Sequence, residues 1–458
     1  RLLNGNQAES LAVAKKKEIE DLLTEYQQVQ GQIRTSSPSY AALTQPRPLT
    51  THEVQQQLLD QETVLLEYAL GDERSYVWVV TSESLEGHAL PGRNRIEGVA
   101  VRLYKLLAGL DHSNRSQAGS QADLSSAAAA LSRMVLAPVA GQIKGKRLLI
   151  VSDGALQYIP FAVLPVPDAA NLRRTQPVPL VVEHEIISSP SASVSALVRQ
   201  DTATRKKAPK AVAVLADPVF DTQDPRVTAA RASLRRASTQ ISSGSRSGTL
   251  SFSQSAEEMG WNHLARLPFS QREATAILEV TPPGQGMKAL GFQASRATAT
   301  SPDLAQYRMV HFATHGLLNN KHPEFSGLVL SLVDEHANPQ NGFILLQDIY
   351  NLNLPAELVV LSACETALGK EVRGEGLIGL TRGFMYAGAA RVLASLWNVD
   401  DVATAELMAR FYKAMEQDGK TPSAALRQAQ IQMWRQKRWH APYYWAEFQM
   451  QGEWKQAR

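Results

Sequence analysis

The chain has 458 residues, 47 basic and 44 acidic side chains, and a single cysteine. That length allows two or three domains, and the near balance of charge gives no global reason to expect nucleic acid as a partner. One cysteine excludes an intrachain disulfide and a cysteine-rich zinc site, and no apolar run approaches the roughly 18 residues of a membrane span.

The first residues lack the apolar core of a signal peptide, and Arg1 in place of Met suggests a fragment or processed form. A soluble cytoplasmic protein is the default expectation. Ser10–Arg34 predicts one long helix, with Leu11, Ile19, Leu22, Leu23, Tyr26 and Val29 near helical spacing. Such a stripe needs a partner to bury it, more often a packing neighbour than a specific docking site. Ser36–Pro48, with three prolines, reads as a linker.

Strand signals follow at Thr63–Leu70 and Tyr76–Thr81, joined as a hairpin. Helical patterns at Ile96–Leu110 and Ala122–Leu136 precede a buried strand at Arg147–Val151 and an apolar stretch at Ile159–Leu164. This alternation argues for an α/β layer without catalytic equipment, because its only notable histidine, His184, has no nucleophile beside it. Ala211–Ala216 reads as the first strand of a second half. From Asp221 to about Trp261 the composition turns to Ser, Arg, Gly and Thr, which predicts a mobile insertion containing a dibasic stretch at Leu234–Ser238. Such an insertion is most simply solvated; a processing loop is the sharper reading. Helix is expected over Gln271–Glu279, a short strand over Met287–Leu290, and two long helices over about Ala403–Gln417 and Ser423–Gln436. The region after them, rich in Trp and Tyr, reads as a packed edge.

Two short apolar runs in the second half carry the chemistry. Met309–Thr314 and Leu358–Ala363 read as buried parallel strands, the first followed by His315-Gly316 and the second by Cys364-Glu365-Thr366. In an open parallel sheet, ligands sit beyond the carboxyl ends of the strands. A thiolate is the nucleophile of cysteine catalysis, and an adjacent imidazole raises its population and carries its proton. The 49 residues from His315 to Cys364 match the caspase spacing of about 50. A lone cysteine is more often a small buried hydrophobe, but the strand-end position and the histidine reverse that weighting. His311 lies inside the strand and reads as a core or supporting residue, leaving His315 as the base. Metal ligation by the two histidines would need a helix, which this run does not favour. Gly374-x-Gly376-x-x-Gly379 fits a dinucleotide fingerprint but begins too far beyond the preceding strand to cradle a pyrophosphate. No cofactor and no metal are expected.

Val310–Gly316, Leu361–Ala367, Gly374–Leu380 and Ala394–Asp400 resemble the CHAT domain, a caspase-like peptidase group often found behind tetratricopeptide repeats. Weaker similarity continues upstream through Arg147–Gly154 and Ser189–Val194. The resemblance implies an α/β, caspase-like three-layer fold with a mostly parallel central sheet and a relation to separase and gingipains. Residues 1–40 would be a helical segment and linker, the tail of an upstream repeat array. Residues 41–207 would form a degenerate, non-catalytic caspase-like half, and residues 208–458 the catalytic half with the insertion at 221–262. His315 and Cys364 would be the dyad, with the backbone amides of Gly316 and Cys364 as oxyanion donors. Caspases place a Gln two residues before the nucleophile to bind an acidic P1 side chain; Ser362 stands here, which argues against aspartate preference. The similarity to separase implies an acid for basic P1 residues at Asp400 or Asp401, with Trp397 walling the groove and Asp217 a second candidate. Each of these acids has an equally good reading as a helix cap. The expected partners are a protein substrate and a regulatory protein or repeat region, with no nucleic acid and no membrane. The reading from a different class is a non-catalytic scaffold that keeps the caspase fold for binding partners.

Overall fold

The computed structural model describes residues 47–109, 117–174, 176–237, 264–317, 325–362, 376–397 and 400–455. The helix expected over 10–34, residues 238–263, Cys364 and Gly374 lie outside the described residues. The strands are β1 (Thr63–Ala69), β2 (Arg74–Val80), β3 (Leu85–Pro91), β4 (Arg147–Val151), β5 (Ile186–Ser188), β6 (Lys210–Ala216), β7 (Gly286–Leu290), β8 (Tyr307–Ala313), β9 (His315–Leu317), β10 (Gly327–Val329), β11 (Phe343–Leu345), β12 (Leu358–Ser362), β13 (Arg391–Ser395) and β14 (Phe448–Gly452). The principal helices are α1 (Thr51–Gln57), α2 (Arg93–Ala108), α3 (Gln117–Val135), α4 (Ala192–Ala203), α5 (Pro225–Ala237), α6 (Pro268–Val280), α7 (Gly376–Tyr386), α8 (Asp401–Glu416) and α9 (Pro422–Trp434).

Eleven strands form one sheet in the order β3-β2-β1-β4-β5-β14-β13-β12-β8-β6-β7. The group β1-β4-β5 is parallel, and so is β13-β12-β8-β6-β7. Between them β14 runs parallel to β5 and antiparallel to β13. The two halves therefore point in opposite senses within one sheet. The central strands are apolar on both faces, as sequences covered by helices on both sides must be. β4, β6, β12 and β13 are buried along nearly their whole length.

Placing β14 mid-sheet corrects the expectation of a packed edge. Phe448 and Met450 are buried while Gln449 and Gln451 are half-buried, so the strand alternates and lacks the dense apolar run that marks its neighbours. One further expectation changes. The 221–262 insertion begins with α5, where Pro225 fixes the first turn and a run of alanines favours helix. Val227 anchors that helix against Val219 and Val333. The apolar stretch 159–164 holds a short 3₁₀ turn at Phe161–Val163, preceded by another at Gly154–Tyr158.

Helices cover both faces. α6 packs on β6, β7 and β8 and against α8, which in turn meets α9, while α7 packs on β13. Consecutive residues of β8 reach the two layers, as strand geometry demands. The His311 ring is 5.6 Å from Tyr412 of α8, and the Phe312 ring is 5.6 Å from Phe384 of α7. Side chains also tie the halves together. Tyr104 of α2 donates to the Leu396 carbonyl at 2.8 Å, and Arg199 of α4 forks onto Glu453 at 2.6 and 2.8 Å while lying 4.2 Å from the centre of the Trp454 ring.

Gly452 closes β14 at φ 109°, and a Cβ there would meet the Ala390 carbonyl oxygen at 2.6 Å. Gly452→Ala should therefore lower stability by on the order of 2 kcal/mol, read from urea denaturation. Gly98, exposed in α2 with open space around its Cβ position, should respond in the opposite sense. Gly98→Ala is expected to gain ~0.5–1 kcal/mol in the same measurement.

Candidate active site

β8 and β12 are parallel neighbours in the register Met309↔Leu358 through Ala313↔Ser362. Their carboxyl ends share one rim of the sheet, and His315 and Cys364 each follow two residues beyond the last paired position. Past Ala313 the chain bends at Thr314, whose hydroxyl donates to the Val329 carbonyl. It then enters β9, the edge of a small three-stranded sheet in the order β11-β10-β9. His315 lies level with Val329 and Gly316 level with Leu328 of β10. The imidazole is buried, 5.1 Å from the Phe220 ring, and its Nε2 lies 2.6 Å from the Ala265 carbonyl oxygen.

Beneath this rim is a buried polar ladder. Ser362 Oγ, on the last residue of β12, donates to Glu273 Oε1 at 2.7 Å. The same oxygen is 3.0 Å from His311 Nε2, although the angle falls short of a straight N–H···O bond. His311 Nδ1 is 3.0 Å from the Tyr412 hydroxyl. His311 and Glu273 are both buried, which matches the supporting position expected of His311. Burial pushes the Tyr412 hydroxyl well above the usual phenol range, with Glu273 and Glu416 adding to the shift. The ladder thus joins β8, β12, α6 and α8 directly below the residues leading to His315 and Cys364.

The four residues expected to bind substrate occupy different settings. Asp400 is the N-cap of α8, its Oδ1 accepting from the amides of Val402 and Ala403 at 3.1 and 2.9 Å. The capping role read from the sequence is therefore filled by Asp400. Asp401 follows in the first turn and is pushed up to about 6, chiefly by burial, with Glu273 and Asp400 adding to the rise and His315 opposing it. Trp397 is fully buried, edge-on to Tyr104 at 6.3 Å, with Nε1 3.4 Å from the Tyr443 carbonyl. Asp217 follows β6 in the left-handed region at φ 49°, a conformation that aspartate tolerates better than most residues. Its buried carboxylate accepts from Arg266 Nε at 2.9 Å and Nη2 at 2.7 Å, and Arg226 Nη1 stands 3.0 Å from Oδ2. Ala265 and Arg266, two consecutive residues, thus connect His315 to Asp217.

Glu273, Arg266 and Glu447 were missed from sequence. Glu273 left a signal: it shares the buried stripe of α6 with Ser270, Ala274 and Ile277, and an acid inside an apolar stripe asks for a partner. Glu447, just before β14, is buried, and among the described residues neither of its carboxylate oxygens has a hydrogen-bond partner. Burial, with Asp400 nearby, holds it well above the usual carboxylate range. Arg266 left no signal.

The model of the CHAT domain matches residues 125–453. Tetratricopeptide repeat protein 28 from human is 38% identical over 105 residues, and the mouse protein 37% over the same length. Each alignment spans 23% of this chain but 4% of the relative, so this chain corresponds to a small part of those proteins. Among solved structures, the Saccharomyces cerevisiae separase–securin complex superposes with TM-score 0.51 at 8% identity, over 92% of this chain and 31% of that one. That likeness concerns the fold. With a family match running from α3 through β14 and a mixed α/β architecture of the caspase type, the chain belongs to the CHAT-domain family.

Proposed function

We propose that the chain is a cysteine endopeptidase acting on a protein substrate, with Cys364 as nucleophile and His315 as its base. The observation that carries the reading is the β8–β12 register, which leaves His315 and Cys364 the same two residues past paired strand ends. Cys364 would give its thiol proton to the imidazole and attack the scissile carbonyl. His315 would then pass a proton to the departing amine, and water would hydrolyse the thioester. The amides of Gly316 and Cys364 would hold the oxyanion, each donor worth ~10²–10³ in rate. Asp217 is the better-supported acid for a basic P1 side chain, because it already binds a guanidinium through two parallel bonds. A protein regulator fits both the repeat-protein name of the curated relatives and the securin bound to the yeast neighbour.

Asp401 would support the charged form of His315 once ionised. Its raised value means that between about 4 and about 6 the folded chain holds a proton that the unfolded chain has released. The sign follows: this group's contribution to stability falls as pH rises through that window and is lowest above it. Asp401→Asn should remove the dependence, leaving the variant about 1 kcal/mol better placed at pH 7 relative to wild type than at pH 4, once solvent screening of this half-exposed group is allowed for. Chemical denaturation of both proteins at the two pH values checks it.

The dyad is tested with a thiol-reactive peptide probe carrying arginine at P1. Labelling of the parent should vanish in Cys364→Ala and fall ~10²–10⁴-fold in rate in His315→Ala. A parent that never labels, with or without candidate protein partners, leaves the scaffold reading in possession.

A further inference from the structure

Four consecutive residues, Leu264 to Leu267, run along the rim just before α6, and each makes a contact of its own. Leu264 packs into an apolar cluster with Leu317 of β9, Val329 of β10, Phe343 of β11 and Phe220. The Ala265 carbonyl faces His315 Nε2 at 2.6 Å. Arg266 forks onto Asp217. The Leu267 carbonyl accepts from Ser270 Oγ at 2.6 Å, and that oxygen accepts from the Asp217 amide at 3.0 Å.

The pairing at Asp217 is unequal in character. Arg226 is built in: its guanidinium also binds both Asp224 oxygens and the carbonyls of Asp217 and Pro218. Among the described residues the Arg266 guanidinium binds the Asp217 carboxylate alone, and its side chain is 39% exposed against 3% for the aspartate. The arginine therefore lies over the acid from the solvent side, as an incoming side chain would. A planar fork against a buried carboxylate is geometry suited to guanidinium and poorly matched by an ammonium.

The geometry points to Leu264–Leu267 as an internal pseudosubstrate: Arg266 fills a guanidinium site at Asp217, Ala265 ties up His315, and an extended peptide bearing arginine must displace this strap to reach the rim. This rests on the peptidase reading for its biological meaning, but the site itself is a binding claim and is tested without turnover. An extended segment with an apolar residue two positions before the arginine would use the same Leu264 cluster, so the ligand class is an apolar-x-Arg peptide.

The test uses the full chain with Cys364→Ala and the strap's own sequence as probe, acetyl-Leu-Ala-Arg-amide, titrated by calorimetry. Adding Arg266→Ala should tighten binding at least tenfold, because the internal competitor is gone. Asp217→Asn added to that variant should abolish the gain. Arg266→Lys keeps a cation for the fold while losing the fork, and should give an intermediate gain; it carries the test if Arg266→Ala does not fold. Equal binding by the parent and both Arg266 variants, or binding that survives Asp217→Asn, overturns the proposal. Tightened binding by a chain whose Cys364 form never cleaves any peptide keeps the strap and sinks the peptidase. Arginine-peptide cleavage at one rate with and without Arg266 does the reverse.

Discussion

The parallel pairing of β8 with β12 is the constraint on which the rest of the rim depends. A strand register is quantised: sliding by one residue turns every side chain to the other face. With Ala313 opposite Ser362, His311 and Ser362 both reach Glu273 on the α6 side, and Phe312 reaches Phe384 on the other. A one-residue slip of β8 would place His311 against the apolar α7 layer and leave Glu273 with Ser362 as its one remaining neighbour in the ladder. The polar ladder thus makes the correct register the one in which buried polar groups meet one another.

That ladder carries electrostatic consequences upward. Glu273 lies close enough to Asp401 to help raise it, and Asp400, spent on capping α8, adds to the effect. The rim therefore gathers carboxyl groups on the α8 side, while on the β6 side Arg226 and Arg266 are matched by Asp217 and Asp224. His315 stands between the two. Its surroundings combine a carbonyl at one ring nitrogen, an aromatic face at Phe220 and a carboxyl with a displaced titration.

Much of this was legible in the residues, for reasons that differ by element. The strands that deliver His315 and lead to Cys364 are short, apolar and bounded by turns, so β8 and β12 announce themselves, and the family motif lies on their ends. β14 does not, because glutamines at 449 and 451 dilute its apolar face to a pattern typical of surface strands. α5 hides inside a stretch whose serines and arginines suggest a loop. Asp217 could be named as an acid, but not its partners: Arg226 and Arg266 come from separate segments, and long-range charge pairs leave no trace in local pattern. Asp400 and Asp401 are adjacent and chemically alike, yet the fold gives one to a helix cap and leaves the other half-buried near Glu273. Only the entry angle of α8 decides which is which.

The place of β14 has a consequence for biosynthesis. This strand is made after every other strand of the large sheet, yet it belongs between β5 and β13. While the ribosome is still working, each half-sheet must present a row of unpaired amides and carbonyls along its inner flank, the kind of surface that recruits foreign strands. Only when Phe448–Gly452 arrives do the halves become one body, and with it come the Arg199–Glu453 clasp and the Arg391 bond to the Glu453 carbonyl. The joining of the two half-sheets is thereby held back until the last strand of the sheet has been made.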